Sequence, residues 1–302
     1  MILHASTDEA SQSNAKYAKK MPDPFQPDTL VLIAFIGLLA GTLGGLLGVG
    51  GSVITIPGLA ILFGTGENQH LYQAAAMTAN LAVAIPAAMR HRKAGALTPD
   101  VLRWMLPVAI VAIVVGVFAS NLSIFKNEVG GLWLGRILAI FLVYVVIVNI
   151  RKLIHLNAGK PRNHMDNAKI TPLRTGAAGG VMGLAAGLLG IGGGALAVPL
   201  QQMLTKIPLR NAIANSSFVM MFSAGIGALL KLGTLNQHYP NTLDADPAWQ
   251  TALMLALVLA PTAILGAGLG AKLTHSLPVQ YVRFAFVLLM IAAAFKMAAV
   301  PI

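Results

Sequence analysis

The stretch GTLGGLLGVGGSVITIPGL, Gly41 to Leu59, returns later in the chain as GLAAGLLGIGGGALAVPLQ, Gly183 to Gln201. Pairing residue n with residue n + 142 sets Gly41 on Gly183, Gly45 on Gly187, Gly48 on Gly190, Gly50 on Gly192, Gly51 on Gly193 and Pro57 on Pro199. Apolar segments resemble one another by composition alone, but composition does not hold so many glycines in register. The chain therefore reads as a duplication.

The surroundings of both copies are apolar. Of 302 residues, 56% are hydrophobic and 10% charged, against about 25% charged in a soluble domain. Runs such as Leu30 to Leu47, Leu71 to Met89, Val101 to Leu122, Leu132 to Ile150, Ala252 to Leu273 and Val282 to Val300 reach the roughly 18 residues that cross a hydrocarbon core. The formal charge of +11 sits in short loops beside these runs, which indicates membrane topology and argues against a nucleic-acid partner. With no cysteine, disulfides, thiolate metal sites and cysteine nucleophiles are excluded.

A second echo follows the first, with Met77-Thr78-Ala79-Asn80 against Ala214-Asn215-Ser216-Ser217 and Lys93-Ala94-Gly95 against Lys231-Leu232-Gly233. Each half then ends in two long apolar segments, giving five hydrophobic elements per half. The expected organisation is a polar tail over 1–28, whose long lead of mixed charge is unlike a signal peptide, a first transmembrane repeat over 29–156, a basic linker over 157–173 and a second repeat over 174–302. Arg90, Arg92, Lys93 and Arg103, and the linker's Arg151, Lys152, Lys160, Arg162 and Lys169, mark cytoplasmic loops, while Gly64 to His70 and Leu232 to Gln250 lack lysine and arginine and are expected outside. Corresponding loops thus fall on opposite sides. The predicted fold is an all-α polytopic membrane protein of two inverted repeats, each with a glycine-rich broken helix, and both termini outside.

Val53 to Phe63 and Ala195 to Leu204 are too short to span, since about 11 helical residues reach only about 17 Å. They read as return arms of elements that stop part-way through the membrane. The β-branched run Val53-Ile54-Thr55-Ile56 before Pro57 predicts unwound backbone from Gly48 to Pro57, with the half-helix starting at the proline. Irregular backbone at membrane depth is tolerated only inside protein or beside a watery cavity. A helix that starts there presents free N–H groups and a partial positive charge suited to an anion. Two such ends at a pseudo-two-fold axis would cradle one small oxyanion. Gly50, Gly51, Ser52, Gly192, Gly193 and Gly194 are the candidate lining on this reading, whereas Gly41 with Gly45, Gly183 with Gly187 and Gly266 with Gly270 have the spacing of close helix packing.

Thr78, Asn80, Asn215, Ser216 and Ser217 are candidates for oxyanion contact, because polar groups inside a membrane are costly, although Ser and Thr also bond their own helix. Gln201 and Gln202 fit cavity lining and interhelical bonding equally. All ten acidic residues lie in the tail or in loops, leaving no carboxylate on the pathway for proton coupling, so movement driven by the membrane potential is the expected mechanism. A potential negative inside favours exit of an anion by about 2.3 kcal/mol per charge per 100 mV. Arg136 and Lys231, near the ends of the fifth and eighth elements, either attract an anion or snorkel to the interface, and snorkelling is the simpler reading. His70, His91, His155 and His275 stand in separate loops without metal-ligand spacing. Neither a metal, a cofactor nor a catalytic residue is expected.

With GGLLGVGGSVITIP and AGLLGIGGGALAVP the chain resembles the TauE/SafE family of sulfite exporters and organosulfur permeases, also called the toluene sulfonate uptake permease family, from Leu30 almost to the end. The resemblance implies a bacterial inner-membrane protein that moves sulfite, sulfoacetate or related sulfur-containing anions. In place of the Gly-Thr-Ser-Leu type run common in that family, this chain has Met77 to Asn80 and Ala214 to Ser217. Export of sulfite through a midplane site is the leading expectation. An organosulfonate permease or anion channel on the same fold is the nearest alternative, and a membrane assembly factor a more distant one. Lipid surrounds the chain, and its glycine-rich faces permit a homodimer.

Overall fold

The computed structural model describes residues 26–47, 49–64, 68–125, 128–154, 168–236, 248–276 and 279–298. The expectations for residues 1–25 of the polar tail, Gly48, Glu67, His155, the linker's Lys160 and Arg162, and Asp244 with Asp246 fall outside these residues, while the last residues assigned to the tail, Pro27 and Asp28, open the first helix.

The described residues form ten α-helices and one short 3-10 turn. The first half holds α1 (Pro27–Leu47), α2 (Ser52–Phe63), α3 (Gln69–Lys93), α4 (Pro99–Ser120) and α5 (Glu128–Ile154). The second holds α6 (Pro172–Leu189), α7 (Gly194–Leu204), α8 (Leu209–Leu235), α9 (Ala248–Ser276) and α10 (Val279–Ala298). Six of them, α1, α3, α4, α5, α8 and α9, are long and apolar enough to cross a membrane, so the chain is a multi-pass membrane protein. The acidic residues Asp28 and Asp100 fall in first turns of helices, where a negative charge meets the positive end of the helix dipole.

Small residues determine which helices meet. A Cβ on Gly41 would strike the carbonyl of Ala263, and one on Gly45 would come within 2.9 Å of the Ala267 oxygen, so α1 lies directly on α9. In the same manner Gly179, Gly183 and Gly187 of α6 abut the carbonyls of Met105, Ala109 and Ile113 on α4. Glycines spaced by four let two backbones approach at the expense of any side chain between them. The two contacts correspond: each half's first helix packs on the fourth helix of the other half. α3 packs on α8, its counterpart, and α5 on α10. These pairings map onto themselves when the halves are exchanged, a two-fold pattern.

The short elements α2 and α7 contain 12 and 11 residues. α2 begins at Ser52 rather than at the expected Pro57, which lies inside it. The β-branched run is helical because tertiary burial overrides its weak propensity: Val53, Ile54 and Ile56 are buried in the core. Gly51 closes the first turn, its carbonyl accepting from the N–H of Ile54 and Thr55 at 2.9 and 3.0 Å and from the Thr55 hydroxyl at 3.2 Å. Pro57 and Pro199 are each the sixth residue of their helix.

Candidate functional site

Two chain reversals meet at the centre of the bundle. In the first, Gly50 takes φ of 87° between α1 and α2. In the second, Gly190, Gly192 and Gly193 take φ of 73°, 66° and 81° between α6 and α7. Left-handed backbone of this kind costs an L side chain about 1–2 kcal/mol per residue, which accounts for glycine at both breaks. They touch: a Cβ on Gly194 would lie 2.7 Å from the carbonyl oxygen of Val49.

One residue joins them. The side-chain oxygen of Asn80, on α3, accepts from the backbone N–H of Gly51 at 3.2 Å. This turns its amide nitrogen toward the second break, so close that a Cβ on Gly192 would collide with it. Asn80 is 2% exposed, and that nitrogen has no hydrogen-bond partner. A buried amide with idle N–H donors costs about 1–3 kcal/mol, and an acceptor placed between the breaks would recover it. Met220 of α8 stands opposite, its sulfur 3.0 Å from a Cβ built on Gly50 and 3.1 Å from one built on Gly194.

The other candidates divide by location. Ser217 lines a cavity of about 290 Å³ together with Gly50, Gly51 and Met220, its hydroxyl donating to the carbonyl of Ile213 at 2.9 Å. Ser216 is buried with a partnerless hydroxyl, outside the cavity wall. Ser52 donates to the carbonyl of Ala76 at 3.2 Å and ties α2 to α3. Thr78 donates to Ala74 within its own helix at 2.8 Å. Asn215 accepts from the backbone N–H of Thr98 at 2.9 Å and donates to Gln201 at 3.2 Å, a clip holding α7, α8 and the turn before α4. Gln201 in turn donates to the carbonyls of Ala197 and Ala212 at 3.1 and 3.2 Å, so the structure uses it for interhelical bonding.

Three features were not foreseen. The cavity runs from the first break past Val83 and Pro86 to His91 and to Arg90, which the sequence marks only by its topology; a cation at the mouth of an apolar-walled cleft attracts anions. Among the described residues no group of three metal-ligating side chains occurs. His70 and His91 both lie within α3 rather than in separate loops, His70 buried near its start and His91 in its last turn. Lys231 does not snorkel: it is 1% exposed, bonded to Ser120 at 2.7 Å and to His70 at 3.1 Å. Arg136 lies over the Trp133 ring, 5.2 Å from its centroid.

Comparison with known proteins gives a family. The family model described as sulfite exporter TauE/SafE matches residues 33–297. A probable membrane transporter protein MamO of Magnetospirillum gryphiswaldense is 28% identical over 292 residues, covering 88% of this chain and 44% of the relative. A probable membrane transporter protein of Haemophilus influenzae is 27% identical over 278 residues, covering 89% of this chain and 97% of the relative. The chain thus spans under half the length of the first relative and nearly all of the second. No solved structure matches.

Proposed function

The chain belongs to the sulfite exporter TauE/SafE family, and we propose that it carries small sulfur-containing oxyanions, sulfite foremost, out across a bacterial inner membrane. One observation carries this reading: Asn80 holds one break through Gly51 and directs unused amide donors at the other. Around that point are the first residues of α2 and α7, whose opening N–H groups have no intrahelical partner and whose dipoles favour negative charge. Arg90 at the cavity mouth supplies attraction from the end expected to be cytoplasmic.

The two-fold helix pairing supports inverted halves that rock about the breaks and expose the site to either face in turn. Both termini then lie outside. The membrane potential is sufficient drive, since two charges moved outward across 100 mV gain about 4.6 kcal/mol. The cavity wall also favours a second substrate: Ala40, Val83, Pro86 and Ile264 suit the carbon chain of a short organosulfonate, with its sulfonate at the breaks.

The test is efflux from proteoliposomes loaded with sulfite, sulfate or methanesulfonate under an imposed potassium diffusion potential. Sulfite and methanesulfonate should leave faster when the interior is negative, and sulfate more slowly. Flux that follows a pH gradient and ignores the potential would refute the uncoupled mechanism, and absence of sulfite and methanesulfonate flux the substrate.

A further inference from the structure

Beyond the breaks, on the side away from the cavity, lies a second polar cluster. Lys231 of α8, His70 of α3 and Ser120 of α4 converge from both halves, and the chemistry of their neighbours fixes who donates. Ser120 gives its proton to the carbonyl of Val117 at 2.7 Å, so it accepts from Lys231. The His70 Nε2 faces the carbonyl of Phe125 at 3.0 Å; a carbonyl only accepts, so the ring proton sits on Nε2 and Nδ1 accepts from Lys231. The lysine nitrogen thus gives two protons to two neutral groups. Among the described residues no carboxylate bonds to it. Burying a cation without an anionic partner is costly, and an intramembrane ionisable residue is retained for a charge on the pathway by default.

Position supplies the second argument. Lys231 is eight residues past Ser223, whose hydroxyl donates to the carbonyl of Gly192 at 3.3 Å, a distance of about 12 Å along a helix. Between the breaks and the lysine, Met77, Ile113, Val117 and Ala228 form a fully buried apolar cluster. The order along the bundle is therefore Arg90 at an open mouth, the breaks with Asn80, an apolar plug, then Lys231. Its counterpart in the sequence echo, Lys93, is exposed at the end of α3, so of this pair Lys231 alone is buried.

We propose that Lys231, with Ser120 and His70, is a second oxyanion station on the outward limb of the route, closed off here by the Met77–Ile113 plug and reached when that plug opens. The inference rests on the reading of the chain as an anion carrier. The anion would replace Ser120 and His70 as acceptor for the lysine, and those two would take it back after release.

The cysteine-free chain allows a test that needs no transported substrate. Ser120→Cys is reconstituted and treated from each face with an anionic sulfonate-bearing methanethiosulfonate and with a cationic trimethylammonium one of similar size, alone and combined with Lys231→Met or Lys231→Arg. A station requires reaction from the outer face, about tenfold or more faster with the anionic reagent, a preference lost with Lys231→Met and kept with Lys231→Arg. Equal rates for the two reagents whatever stands at position 231, or no reaction in a variant that elutes as a folded protein, would overturn the proposal. Failure of sulfite flux in the native protein would instead count against the substrate, leaving this outcome separate.

Discussion

Replacing Asn80 by aspartate and by alanine isolates what the bridging amide does. Aspartate keeps an oxygen where Gly51 N–H donates at 3.2 Å and exchanges the idle nitrogen for a second, negatively charged oxygen. Alanine removes both. If an oxyanion occupies the space between the breaks, alanine loses one donor, about 1.5 kcal/mol or tenfold in affinity. Aspartate adds repulsion between like charges about 4 Å apart, about 4 kcal/mol at an effective dielectric of 20, or roughly a thousandfold. The assay is calorimetric titration of sulfite and methanesulfonate into detergent-purified protein at neutral pH, with thermal unfolding to establish that each variant is folded. Aspartate should be less stable than the native protein, because a carboxylate buried without a cation is costly although the Gly51 bond survives, and should bind far more weakly than alanine. Equal affinities for the two folded variants, or native affinity in Asn80→Asp, would refute the assignment of the breaks as the anion site.

Other expectations follow from single contacts. Gly192→Ala combines a positive φ with a collision at Asn80, and should cost about 2–3 kcal/mol of stability and weaken anion binding, read by thermal unfolding with and without sulfite. Gly183→Leu, whose side chain would enter the Ala109 backbone, should destabilise by about 1–3 kcal/mol or more, while Gly268→Ala, with nothing within 4 Å, should leave the unfolding midpoint within the error of the same measurement. Arg90→Gln at the cavity mouth should slow anion association and flatten its dependence on ionic strength in stopped-flow binding.

The fold was legible in the sequence wherever glycine did two different things in register. Glycines spaced by four marked the close helix contacts, and the clusters at Gly50 and Gly192 marked the chain reversals, because neither geometry tolerates a side chain. The start of α2 was misjudged because a β-branched run before a proline looks extended until its burial in the core is known. Lys231 was illegible for another reason. A lysine near the end of an apolar segment has the local signature of snorkelling, and what buries it here comes from His70 and Ser120, 161 and 111 residues distant. Asn80 was identified as a polar candidate, but its role as a bridge depends on Gly51 and Gly192 converging on it. Arg90 counted as a topology marker because no periodicity reveals that the cleft beside the first break extends to it.

The exchange of partners between halves also bears on how the protein is made. The glycine face of α1, along Gly41 and Gly45, finds its complement at Ala263 and Ala267 of α9, which leave the ribosome about 10–40 s later at about 5–20 residues per second. During that interval α1 sits in the bilayer with bare backbone facing lipid or a temporary neighbour. Biogenesis is thus a closing step rather than a sequential one: the N-terminal half cannot acquire its final packing until α9 has been synthesised and inserted.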